Sequence, residues 1–377
     1  MIFLSISHSG GTRNFWGRNA RARRLHSSSS NCRGFSLPEL LVSMAVLTVV
    51  AGGVISMISY NQKTFGRTEQ ASDMYENVRA VAELMAQEIG QAGFVDLPGG
   101  GYSGATLSAG VTFNSTTATT VAISSTASMY VGEILLVDAG VNEEPVTLTA
   151  VTSTTISATS LLNANYPTHS SGAPVHAVGV SPNGIIAPSS NATTPTAQGG
   201  VSCVTVPTGV TYTSPATTPS TCNVLNLWGD LNSDGTLVYV RYTCNTPATP
   251  TSPPGTLTRS VTTITPGVNT VSTSQTLLST LAQNPPSTAP TPCFQYDLST
   301  QTFSVNGVVT KTYYMIANIG LTISVQSLRP DPITSQYLKM TKSFLDLSPR
   351  NVLAGYEQAN WGDGTRLQVQ PPNVNSY

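Results

Sequence analysis

The chain has 377 residues, 17 basic against 18 acidic, and only 9% of them are charged. A soluble domain ordinarily carries roughly 25% charge. Here hydroxyl groups take over that solvation, with 44 Ser and 52 Thr in the sequence. The balance excludes a coiled coil, a helical bundle and a nucleic-acid binder with a basic face. It favours short strands and long polar loops on a chain that works outside the cytoplasm, and the length is ample for a sizeable core.

Charge is unevenly placed. Residues 1–34 hold six Arg and no acid, so the remainder carries 11 basic against 18 acidic residues. This basic block directly precedes FSLPELLVSMAVLTVVAGGVISMISY at 35–60, whose one charged side chain is Glu39. As a helix the run would be about 39 Å long, enough to cross roughly 30 Å of hydrocarbon. The Arg-rich flank should stay on the cytoplasmic side and the rest should be exported. A secretory signal has a shorter apolar core. A plain anchor does not explain a carboxylate within the apolar run, which is costly there and asks for a partner.

RGFSLPELLVSMAVL resembles the signal of type IV prepilins, in which a basic leader ends in Gly, followed by Phe, an apolar stretch and Glu as the fifth mature residue. Gly34, Phe35 and Glu39 match that pattern. The resemblance implies cleavage between Gly34 and Phe35 by prepilin peptidase, N-methylation of Phe35, and pairing of Glu39 with the amino terminus of a neighbouring subunit in a filament. Two features depart from the family: the leader is long, and Pro38 stands where Ile, Val or Leu is commoner. Pro38 is harmless at the fourth mature position, because the first N–H groups of a helix have no intrahelical partner.

Beyond the membrane run, Met74, Val78, Val81, Met85, Ile89 and Ala92 make one stripe of an amphipathic helix over 61–97, with Glu76, Arg79 and Glu83 off it. The reading is a single helix from Phe35 to Gly93, stopped by Gly93 and the glycines after Leu97, with its second half packed on a sheet. ENVRAVAELMAQEIGQAGF is similar to minor pilins of the PilW type and to the large pseudopilins of type II secretion.

Residues 102–180 alternate short β-rich runs with turns and resemble a small barrel-like module of bacterial and phage surface proteins. His169 sits in its THSSGAPV turn, where a turn-stabilising hydrogen bond is the expected role. Residues 181–377 form a second β region, with strands expected at Thr236–Cys244, Thr302–Val309 and Tyr313–Ser324. Ser/Thr/Pro-rich stretches near 186–221 and 245–292 interrupt it, and NTPATPTSPPGT is expected as an exposed loop. FLDLSPRNV resembles the C-terminal strand ending of PilW-like pilins. The fold class is therefore α+β: a long N-terminal helix, transmembrane in its first half and amphipathic in its second, packed on an antiparallel β domain with an inserted small β module.

Cys32 leaves with the leader, so Cys203, Cys222, Cys244 and Cys293 remain in an oxidising compartment. Three connectivities are open, and the one with short enclosed loops is Cys203–Cys222 with Cys244–Cys293. His169 and His176 are the histidines left after processing, with no CxxC beside them, which argues against zinc. Asp230, Asn232, Asp234, Gly235 and Thr236 follow the front half of a calcium loop, but Arg241 stands where the bidentate Glu belongs. A metal-free Asp/Asn/Gly turn is the competing reading.

No nucleophile elbow, zincin motif or phosphate loop occurs, and Glu143 and Glu144 should point to opposite faces of a strand. The expected function is a minor pilin at or near a filament tip, where it would prime assembly; a type II secretion pseudopilin and a pilus-borne adhesin acting through the β module are the alternatives. The expected partners are other pilins, prepilin peptidase and the inner membrane before assembly, then the cell-surface pilus. Nucleic acid enters only through a DNA-uptake filament.

Overall fold

A computed structural model describes residues 36–97, 104–186, 220–247, 253–265, 268–269, 273–285, 291–305, 309–361 and 366–372. Helix α1 (Leu37–Gln91) is followed by strands β1 (Phe94–Leu97), β2 (Ala105–Thr106), β3 (Val111–Thr112), β4 (Thr119–Ala122) and β5 (Ile134–Val137). After a 3-10 turn come β6 (Glu144–Val151), β7 (Thr155–Ser160), β8 (Thr168–His169), β9 (Pro174–Val180) and β10 (Ile185–Ile186). Next are β11 (Ser220–Cys222), β12 (Val224–Gly229), β13 (Val238–Asn245), β14 (Gly255–Thr265), β15 (Val268–Asn269) and β16 (Thr273–Leu281). The chain ends with β17 (Phe294–Val305), β18 (Val309–Pro330), β19 (Tyr337–Leu347) and helix α2 (Arg350–Trp361).

The chain divides after Tyr60 into two units. In the first, every residue from Ser36 to Tyr60 is exposed. Its hydroxyls are satisfied within the helix: Ser43 Oγ donates to the Leu40 carbonyl, Thr48 Oγ1 to Met44 and Ser56 Oγ to Gly52. Such local bonds let Ser and Thr enter an apolar medium without an orphaned donor.

In the second unit, two antiparallel sheets carry the fold. One runs β1-β9-β5-β6-β7-β4, with β2 also on β9; the other runs β10-β12-β13-β14-β16-β18-β17-β11, with β15 on β14 and β19 on β18. The period-2 alternation of β13 explains how they stack. Val238, Val240, Tyr242 and Cys244 pack in one core cluster with Met74, Val78, Val81, Met85 and Ile89 of α1. Tyr239, with Leu237 and Trp228, packs instead in the cluster of the first sheet, beside Leu135, Leu148 and Val175. The larger sheet is therefore a middle layer, covered by helix on one face and by the other sheet on the opposite face. β12 and β13 are largely buried on both faces for that reason.

Four expectations are corrected. The stretch 245–292 is not an interruption throughout, since β14 and β16 lie in it and bury Leu257, Leu278 and Leu281. Threonine is β-branched and suits a strand even in a composition that reads as loop. The strand expected over Thr302–Val309 is instead the end of β17 and the start of β18. The chain also does not finish on a strand after Phe344, because Pro349 is followed by α2. The β module is not closed on its own core either: Trp228, Leu237, Tyr239 and Ile264 complete it from outside 102–180.

Candidate functional site

The N-terminal unit carries the sequence signal. Leu37 opens the helix, and Pro38 stands in its first turn, where its missing N–H costs nothing. Glu39 follows in the same turn, with Ser36 Oγ 3.5 Å from its Oε2. A carboxylate at this end complements the helix dipole. Around it, Leu40, Leu41, Val42, Met44, Val46 and Leu47 are exposed, a surface that water solvates poorly. Gly34 and Phe35 lie outside the described residues.

A second polar centre holds α1 onto the middle sheet. Glu88 faces inward on the apolar stripe and is buried. Arg259 clamps it from β14, with Nη2 on Oε1 and Nε 3.2 Å from Oε2, and the Tyr242 hydroxyl donates to Oε2. Burial, reinforced by the neighbouring Glu88 charge, pushes the Tyr242 phenol far up, so it acts as a donor. The stripe hid this residue: Glu88 lies three positions after Met85 on the same face, and an acid there signals an unseen partner.

His169 is buried with Nε2 2.7 Å from Glu144 Oε2 and Nδ1 3.3 Å from Asp138 Oδ2. Each ring nitrogen thus faces a carboxylate oxygen, one from the start of β6 and one from the residue after β5. The Ala139 N–H first, and His169 second, hold the Asp138 carboxyl below the usual carboxylate range. Glu143 is exposed while Glu144 is buried.

In the loop after β12, Asp230 Oδ1 accepts from the Asp234 N–H at 3.0 Å and Oδ2 from the Gly235 N–H at 2.9 Å. Asp234 Oδ1 accepts from the Thr236 N–H, and the Asn232 and Asp234 side chains are exposed. The Asp230 carboxylate thus organises the turn, while each of its oxygens keeps a lone pair for a further donor or a cation. Cys244 and Cys293 form a disulfide with Cα atoms 6.3 Å apart. Cys203 and the Cys222 side chain lie outside the described residues.

Residues 29–55 match the family model described as the prokaryotic N-terminal methylation motif. No curated protein and no solved structure matches the chain. The matched segment contains Gly34, Phe35 and Glu39 and leads into the exposed apolar turns of α1. The motif supports reading the chain as a type IV pilin-like precursor. The motif points to a structural subunit processed by prepilin peptidase and assembled with other pilins. The apolar helix fits membrane anchoring before that assembly.

Proposed function

We propose that this chain is a minor pilin of the PilW type, cleaved between Gly34 and Phe35, N-methylated at Phe35 and built into a type IV pilus at or near its tip. The observation that carries the proposal is a 55-residue helix of two characters. Its first turns expose apolar side chains around a single carboxylate, whereas Met74 through Ile89 are buried against a sheet. An apolar surface of that length is stable in a bilayer or against other helices, and either medium leaves Glu39 needing a positive partner. The amino terminus of a neighbouring subunit supplies one. The size of the β domain supports a position at the tip, where no further subunit stacks on it.

Mass spectrometry of the mature N-terminus tests the processing step, with N-methylated Phe35 expected and an intact Gly34–Phe35 bond refuting it. Glu39→Gln should leave membrane insertion intact and abolish recovery in sheared filaments. Loss of protein secretion with unchanged piliation in a deletion strain would instead assign the chain to a secretion pseudopilus.

A further inference from the structure

The turn between β18 and β19 is built differently from the rest of the surface. Leu328 is 80% exposed and Tyr337 50%, with Ile333 also exposed between them. Arg329 and Lys339, the charged side chains that flank them, are exposed as well. Asp331, the acid of this segment, has no exposed carboxylate. Its Oδ1 accepts from the Ile333 N–H at 3.0 Å, its Oδ2 from Thr334 Oγ1 at 2.8 Å, and Arg67 Nε lies 3.6 Å from Oδ2. The backbone of the turn is also largely satisfied from within. The Asp331 N–H donates to the Gln336 carbonyl, the Ser335 N–H to the Asp331 carbonyl, Ser327 Oγ to the Arg329 carbonyl and the Leu338 N–H to Ser327 Oγ.

We infer that this turn is a lipid-contact surface that enters the headgroup region of a bilayer. Entry into that region favours exposed apolar and aromatic side chains flanked by cations, and it penalises polar backbone that has no partner. The turn meets each condition. Tyr presents an apolar ring and a wet hydroxyl, the combination found at membrane boundaries. Arg329 and Lys339 match the phosphates, and the turn's own carboxylate, Asp331, is paired with Arg67. Arg67, which contacts the turn, follows Tyr60 by seven residues in the chain. The inference rests on membrane insertion of the apolar run, and it is independent of which filament the chain joins.

The test uses the full chain in vesicles of phosphatidylethanolamine and phosphatidylglycerol, with a photoreactive diazirine residue placed singly at four positions. Leu328 and Tyr337 probe the turn. Val46 reports insertion of the apolar run, and the fully exposed Val141 of the β module reports non-specific labelling. Melting of each variant in detergent checks that it folds. Lipid adducts at 328, 337 and 46, with background at 141, are expected. Labelling at 46 without labelling at 328 and 337, or equal labelling at 141, overturns the inference. Adducts between two copies of the chain at 328 assign the patch to a second copy instead. Absence of lipid at 46 removes the membrane anchor, and the inference falls with it.

Discussion

Glu133 is fully buried, and its Oε2 accepts the Tyr130 N–H at 3.2 Å while Oε1 has no partner among the described residues. Burial pushes this carboxyl well above the usual range, and the Tyr130 amide only partly opposes the shift. The folded state therefore binds this proton more tightly than the unfolded chain does. Its contribution is complete below the unfolded value of about 4.3 and is lost as pH rises toward the folded value. Glu133→Gln should raise stability by about 1–3 kcal/mol near neutral pH and by little at about pH 4, measured by thermal unfolding at both. At Asp230, replacement by Ala removes the acceptor of two amides and should cost about 1–3 kcal/mol in the same assay. Calcium at this loop is proposed on spacing alone. Saturating heat on calorimetric titration with Ca²⁺ would support it, and a flat trace would leave a metal-free turn. The Asp230 spacing was legible in the sequence because both amides bound by its carboxylate lie within six residues. Glu133 and the carboxylates around His169 were not, since their environments come from strands up to a few dozen residues away.

At the scale of elements, the exit from α1 depends on three glycines from three segments. Gly93 adopts φ +79°, donates its N–H to the Trp228 carbonyl and accepts from the Ser181 N–H. A Cβ there would lie 2.4 Å from the Ser181 carbonyl oxygen, and one on Gly184 would lie 2.3 Å from the Gly93 Cα. Gly229 closes the third side, where a Cβ would meet Gly93 N at 3.0 Å. Gly93→Ala should therefore destabilise the fold by about 2–4 kcal/mol, seen as a lowered denaturation midpoint with an unchanged slope. Gly93 was readable as a helix stop. Its fit against Gly184 and Gly229 was not, because close backbone approach between distant segments leaves no local pattern. The apolar stripe of α1 was readable because a helix repeats its buried face every three or four residues. The polar clamp on Glu88 needed β13 and β14 in place before its meaning appeared.

For the molecule as a whole, the β module and residues 181–377 share a hydrophobic cluster. Trp228 is fully buried, with its Nε1 donating to the Asn183 carbonyl, and it stacks edge-on against Tyr130 at 6.1 Å. Near the C-terminus, Gln368 bonds both the amide and the carbonyl of Ile134, and Tyr130 Oη donates to the Val369 carbonyl. A fragment limited to 102–180 would expose the surface that Trp228, Leu237 and Tyr239 cover. It should unfold without a sharp transition, whereas the full chain in detergent should unfold sharply. The Cys244–Cys293 disulfide joins β13 to the segment entering β17 across 49 residues. Replacing both cysteines by Ser should cost about 2–4 kcal/mol, read as a lower denaturation midpoint under oxidising conditions.

The sequence by itself determined the class of the N-terminal motif, the course of α1 and the hydroxyl-rich character of the remainder. Each of these is written in adjacent or periodically spaced residues, where charge, hydropathy and helical geometry act over a few positions. Only the tertiary structure decided that the larger sheet is a middle layer, that Thr-rich segments become its strands, and that Glu88, Glu133 and His169 are buried. Those outcomes are set by burial and hydrogen bonding between residues far apart in the chain, and a linear pattern carries no record of which distant partner meets each of them.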